Sequence, residues 1–280
     1  MVLRGLALVL ILGFIGAGLY LASPAGRQLL DRVSINAKRE ENTLRHQSGL
    51  PLRGSPDLAR LDERLASKGV RLGDKLFIRI FKLESELELW VEKDGRYELF
   101  ATYPICRWSG RLGPKLKEGD RQAPEGFYTV GADQLNPDSR WHRSFNPGFP
   151  NALDRAHGRT GSFLMVHGGC GSVGCYAMTN AGVDEIWRFV TSALDKTEAH
   201  IPVHVFPFRM TDRKLDARAT AYPWGSFWED LKKGYDLFEA SRIPPAVSVC
   251  NGRYQVAPGT LGDVGKPIEE NCAPSLAGNS

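Results

Sequence analysis

The stretch Phe163-Leu164-Met165-Val166-His167-Gly168-Gly169-Cys170-Gly171-Ser172-Val173-Gly174-Cys175 decides how this chain is read. Phe163 to Val166 form a strand-like apolar run, and a helix-like pattern begins near Thr179. Between them lie one imidazole, two thiols and several glycines, which open backbone dihedrals closed to other residues and let a ligand approach closely. A cysteine thiolate is a strong nucleophile when a neighbouring base or a helix N-terminus favours its ionisation. Cys175 therefore reads as a nucleophile and His167 as its proton donor and acceptor. The helix beginning near Thr179 is expected to turn its positive end towards the sulfur and favour thiolate. Gly174 leaves room for backbone N–H groups around Cys175 to serve as an oxyanion hole. Ser172 is a candidate orienter of His167, with a plain turn hydroxyl as the alternative.

Three competing readings attach to the same residues. The plainest is a packed histidine beside a buried cysteine. A second is zinc held by His167, Cys170 and Cys175, for which a structural site lacks an evident fourth ligand. A third is a Cys170–Cys175 disulfide, which would quench the nucleophile.

Upstream, Leu76-Phe77-Ile78-Arg79-Ile80-Phe81 is a strand pattern, Leu87 to Val91 alternates as a second, and Tyr97 to Phe100 is a third. Asp94-Gly95 between the last two is a hairpin signal. Ala101 to Cys106 extends the sheet, and Phe127 to Val130 returns to strand after turn signals at Gly113-Pro114 and Pro124-Glu125-Gly126. Residues 131–160 are polar and irregular, as a binding loop or lid is, and carry Trp141, His142, Arg143, Phe145, Asn146 and His157. Downstream, Val183, Ile186, Trp187, Val190 and Leu194 follow helical spacing. Ile201 to Phe208 reads as a closing strand that Pro202 keeps towards a sheet edge. Phe227, Trp228, Leu231, Tyr235 and Leu237 make an amphipathic helical appendage.

The 280 residues are 42% hydrophobic and 24% charged, with a net charge of +4, an ordinary globular balance. No long basic run or basic–aromatic motif indicates nucleic acid. Gly5 to Ala22 is an uncharged apolar stretch after Arg4, read as a signal peptide or a signal anchor. Ser23-Pro24-Ala25 offers small residues for cleavage. The expected organisation is a membrane-targeting segment over residues 1–25, a linker and short helix over 26–70, a catalytic domain over 71–210 and a helical, loop-rich appendage over 211–280. Five cysteines cannot all pair internally; Cys250 and Cys272 bracket the tail and are natural disulfide partners after export.

Several separated motifs resemble the L,D-transpeptidase (YkuD-like) family, whose catalytic domains carry a His-Gly followed by Ser-x-Gly-Cys. The counterparts here are His167-Gly168 and Ser172-Val173-Gly174-Cys175. Gly113-Pro114-Lys115-Leu116-Lys117-Glu118-Gly119-Asp120, Pro124-Glu125-Gly126-Phe127-Tyr128 and Asn146-Pro147-Gly148-Phe149-Pro150-Asn151 look like the YafK-like branch. The resemblance covers about residues 75–208 and implies a β-rich α+β fold, a β-sandwich with a helix after the nucleophile. It also implies acyl transfer on peptidoglycan stem peptides at diaminopimelate, through a thioester on Cys175, in cell-wall remodelling. No cofactor and no metal is implied, and the expected location is the periplasm, secreted or anchored to the inner membrane. Hydrolytic release of a D-amino acid or a wall-linked lipoprotein is the alternative outcome; a non-catalytic wall-binding module is a further one. Most family members have a second His before the Gly-Cys and an Arg soon after the Cys. Here Val173 takes the first place and Tyr176-Ala177-Met178 the second. Arg107, Arg143, His157 and Tyr176 are the candidate substrate-binding residues.

Overall fold

The computed structural model describes residue 16 and residues 18–272. Most of the apolar stretch Gly5–Ala22 lies outside them; among the described residues no helix is long and apolar enough to cross a membrane. Ser23, read as part of a cleavage signal, caps helix α1 (Pro24–Gln47), accepting a hydrogen bond from the Gly26 N–H, with Pro24 in the first turn. This stretch, expected as linker, packs on the domain: Ile35 and Asn42 are buried, and the Asn42 amide donates to the Ile105 carbonyl. A short helix α2 (Leu61–Lys68) follows and buries Leu61.

Two five-stranded sheets carry the fold. The first contains β1 (Leu76–Phe81), β2 (Glu86–Lys93), β3 (Arg96–Pro104), β5 (Gly126–Gly131) and β10 (His200–Phe206), in the order β3-β2-β1-β10-β5. The β2–β3 hairpin turns at Asp94-Gly95, both with positive φ, as a two-residue turn of the favoured hand requires. Strand β1 alternates polar and apolar only weakly because both its faces are covered: all six residues are buried. The second sheet is built of two-residue strands, β4 (Arg107–Trp108), β6 (Leu135–Asn136), β7 (Ser144–Phe145), β8 (Val166–His167) and β9 (Tyr176–Ala177), in the order β4-β9-β8-β7-β6. Side chains of both sheets and of helix α4 (Asn180–Lys196) enter one hydrophobic core. A five-residue helix, α3 (Ala152–Ala156), interrupts the segment 131–160.

Strand β10 lies inside its sheet, between β1 and β5, and not at an edge as Pro202 suggested. Pro202 pairs with Thr129 of β5, and pairing with β1 begins only at Val203, so the missing N–H falls before the second ladder starts.

Beyond β10, helix α5 (Asp212–Ala219) leads to α6 (Gly225–Ser241), which lies against the first sheet, with Trp228, Leu231 and Phe238 buried. Under it, Arg79 of β1 is held by Glu88 at 2.7 Å and by Glu239 of α6 at 2.8 Å. A hairpin of β11 (Ala246–Cys250) and β12 (Arg253–Ala257) follows, and Cys250 pairs with Cys272 as expected.

Lys82, fully buried at the end of β1, bonds Glu125 at 2.9 Å and the carbonyls of Gly113 and Ala123, tying the 113–125 turn to the sheet. Removing one member of such a pair strands the other charge. Lys82→Met is expected to destabilise the protein by about 3–5 kcal/mol, read as a lower urea midpoint.

Candidate active site

Strands β8 and β9 run parallel, with Val166 opposite Tyr176 and His167 opposite Ala177. Side chains alternate faces along a strand, so Cys175, two residues before Ala177, shares the face of His167. Both side chains line one cleft of about 480 Å³, together with Asn136, Arg140, Trp141, Ser144 and Phe163.

His167 is buried, and its Nδ1 lies 2.5 Å from the Gly168 carbonyl. A carbonyl only accepts, so Nδ1 carries the proton and Nε2 keeps the lone pair. Burial pushes the imidazole pKa below its ordinary value, partly opposed by the Gly168 bond. The Cys175 thiol is also pushed up by burial, with the Met165 N–H and the charge of Lys115 acting the other way. The expected favouring of thiolate is opposed at Cys175: burial raises the thiol pKa more than the Met165 N–H and the Lys115 charge lower it. At rest the thiol lies 3.4 Å from the Phe163 carbonyl, which accepts from it, and accepts from the Met165 N–H at 3.4 Å.

Ser172 does not orient His167. Its hydroxyl donates to the Cys175 carbonyl at 2.7 Å and accepts from the Cys175 N–H at 3.0 Å, while Ser109 Oγ lies 2.8 Å away. This pair of hydrogen bonds to one residue clamps the loop that carries Cys175 and occupies the Cys175 N–H. The Gly174 N–H makes no hydrogen bond among the described residues. Gly174 has φ +100°, and a Cβ there would press on Leu164 at 3.3 Å, so the loop requires glycine at this position.

Cys170, unassigned by sequence beyond zinc or pairing with Cys175, is bonded to Cys106, with Cα atoms 5.2 Å apart. This leaves Cys175 as the free cysteine among the described residues and removes a thiolate from the proposed zinc set. No sequence pattern joins Cys106 to Cys170, 64 positions apart; only the sheet brings them together.

The four substrate-binding candidates lie elsewhere. Tyr176 is buried and its hydroxyl donates to the Pro124 carbonyl at 2.5 Å. His157 bonds the Gly252 carbonyl at 2.8 Å, beside the C-terminal hairpin. Arg143 faces Asp184 at 3.4 Å, an acid that also bonds His142. Arg107 lies on β4 opposite Ala177, outside the cleft lining. The cation that does line the cleft is Arg140, with no carboxylate partner among the described residues and its guanidinium 5.3 Å from the Trp141 ring. Its neighbour Trp141 was the available signal: an aromatic in a polar loop expected to bind. Ser144 of β7, opposite His167, also lines the cleft, and its buried hydroxyl has no partner.

Residues 80–205 match the L,D-transpeptidase catalytic domain (YkuD). The chain is 50% identical over 209 residues to "Putative L,D-transpeptidase YafK" of Escherichia coli strain K12, spanning 74% of this chain and 81% of that protein. The chain belongs to the L,D-transpeptidase family. The namesake from Escherichia coli O157:H7 matches with the same figures. Among solved structures, the helical cell shape determining protein Pgp2 (K307A mutant) of Campylobacter jejuni is similar at 22% identity and a TM-score of 0.40, over 66% of this chain and 68% of that one. As a family member the protein is a transferase-class enzyme concerned with peptidoglycan.

Cys175 is expected to react with iodoacetamide more slowly at pH 7 than an exposed cysteine, because only the thiolate reacts and burial holds the thiol protonated. Mass spectrometry of labelled protein across pH should place the rise in labelling above the ordinary thiol range of about 8.5.

Proposed function

We propose that the protein is an exported cysteine acyl-transfer enzyme that acts on peptidoglycan stem peptides at diaminopimelate through a thioester on Cys175. The observation that carries this reading is the shared cleft: the free thiol and a histidine with its lone pair on Nε2 face the same space.

Binding of the stem peptide displaces the thiol from the Phe163 carbonyl, and His167 Nε2 takes its proton as the sulfur attacks the amide carbonyl. A backbone N–H beside Cys175 receives the tetrahedral oxyanion; that of Gly174 makes no hydrogen bond among the described residues, whereas the Cys175 N–H is held by Ser172. Collapse expels the leaving amine, which receives the proton from the imidazolium, and leaves the thioester. An incoming amine, deprotonated by Nε2, then yields a cross-link. Arg140 receives a substrate carboxylate at the cleft. The apolar rim of Trp141, Phe163 and Val173, all exposed, receives the aliphatic part of the peptide.

Water in place of the acceptor amine gives the hydrolytic outcome, release of a D-amino acid or of a wall-linked lipoprotein. The openness of the thioester to small molecules decides between them. Product analysis with and without an added amine acceptor separates the two.

Incubation with wall fragments followed by mass spectrometry should show products that Cys175→Ala abolishes, while His167→Ala lowers turnover by about 10²–10⁴-fold. Unchanged turnover in Cys175→Ala would sink the assignment. Because burial lowers the His167 pKa, the acidic limb of the rate profile should lie below the ordinary histidine value of about 6.5: activity persists as pH falls through that value and is lost only lower. Arg140→Gln is expected to raise KM about tenfold with a smaller effect on kcat, the loss of one charge-assisted contact to a bound carboxylate.

A further inference from the structure

A second cleft, of about 310 Å³, lies between helix α1 and the segment that follows β4. It is lined by Arg32 and Arg39 of α1, by Arg111, and by the polar groups of Gln28, Asn36 and Tyr222. Elsewhere in the molecule arginines that face carboxylates are neutralised: Arg64 by Glu185, Arg79 by Glu88, Arg218 by Asp31 and Arg253 by Asp230. In this cleft none of the three guanidiniums has a carboxylate within ion-pair distance among the described residues. Asp31 of the same helix is committed to Arg218 and to the Tyr222 hydroxyl.

Arg39 shows the consequence most clearly. It donates to the Gly110 carbonyl at 2.9 Å and to Asn36 at 3.3 Å, and its guanidinium sits 4.3 Å from the Trp108 ring. Its Nε is buried with no hydrogen-bond partner. Burial, with Arg107 as a like-charged neighbour, pushes its pKa down to about 10. An unpaired guanidinium with an orphaned N–H, beside other unpaired cations, is costly unless an anion is present for part of the protein's life.

From this convergence we infer that the cleft between α1 and Gly110–Leu112 is a phosphate-binding site, distinct from the Cys175 cleft. A phosphate group suits it better than a carboxylate because its several oxygens can accept from more than one guanidinium at once. The group could come from either of two sources, a phospholipid headgroup or a soluble phosphate. The lipid source gains weight from the sequence, since α1 begins two residues after the apolar stretch Gly5–Ala22. The site stands whether or not the peptidoglycan reading of Cys175 holds.

The test uses the full chain in mild detergent at low ionic strength, titrated with inorganic phosphate and followed by calorimetry. Saturable binding is expected, weakened about tenfold by each of Arg32→Gln and Arg111→Gln, whose exposed side chains leave the fold intact. It should be lost in the variant that combines both with Arg39→Gln. A second arm compares flotation with phosphatidylcholine vesicles, with and without phosphatidylglycerol. A preference for the anionic vesicles that the triple variant loses identifies the lipid source; phosphate binding without that preference identifies a soluble one. No saturable phosphate binding, or binding that the triple variant retains while its melting temperature matches wild type, overturns the proposal.

Discussion

The parallel pairing of Val166-His167 with Tyr176-Ala177 is the constraint on which the site depends. Parallel strands ordinarily need a crossover of a dozen or more residues. Here residues 168–175 close the connection, and the register of two short strands sets Cys175 and His167 on one face. A loop that short cannot satisfy its own backbone by regular structure. It relies on glycines at φ values other residues resist, on Ser172 bonding both sides of Cys175, and on Asn180 accepting from the Gly169 N–H. The helix that follows thus anchors the loop through the Asn180 side chain.

Burial then sets the chemistry. Burial opposes charge on both groups: it pushes the imidazole pKa of His167 down and the thiol pKa of Cys175 up. The Gly168 carbonyl fixes the imidazole tautomer, a role that needs no third side chain and so leaves no letter in the sequence.

Much of this was legible where local physics acts alone. The apolar run of β1, the Asp94-Gly95 turn and the spacing of Val183, Ile186 and Val190 match elements with the expected bounds or nearly so. The motif around Cys175 named the nucleophile and its partner as candidates, and both line the cleft. What failed depended on pairing between distant segments. Pro202 looked like an edge residue because sequence does not show where a second ladder begins. Arg143 looked free because its partner Asp184 lies 41 positions on. Tyr176 looked like a ligand contact because residue type cannot reveal that its hydroxyl is taken by Pro124. Arg140 was passed over for a neighbour of the same charge, and only the fold of the 131–160 segment distinguishes them.

The disulfide joining Cys106 to Cys170 links these themes. Cys106 lies where β3 gives way to β4, and the residue before it receives a hydrogen bond from Asn42 of α1. Cys170 lies in the loop between β8 and β9 at φ +56°, a conformation that costs a non-glycine residue and persists only when its surroundings hold it. The bond closes a 64-residue separation, and on chain-entropy grounds such a closure is worth about 4 kcal/mol, most of it taken from the unfolded state. The same crosslink restrains the loop locally. Helix α1, the β3–β4 junction and the loop that carries Cys175 are therefore joined in series, by the Asn42 hydrogen bond and the Cys106–Cys170 bond. The charged segment that read as a linker is tied to that series.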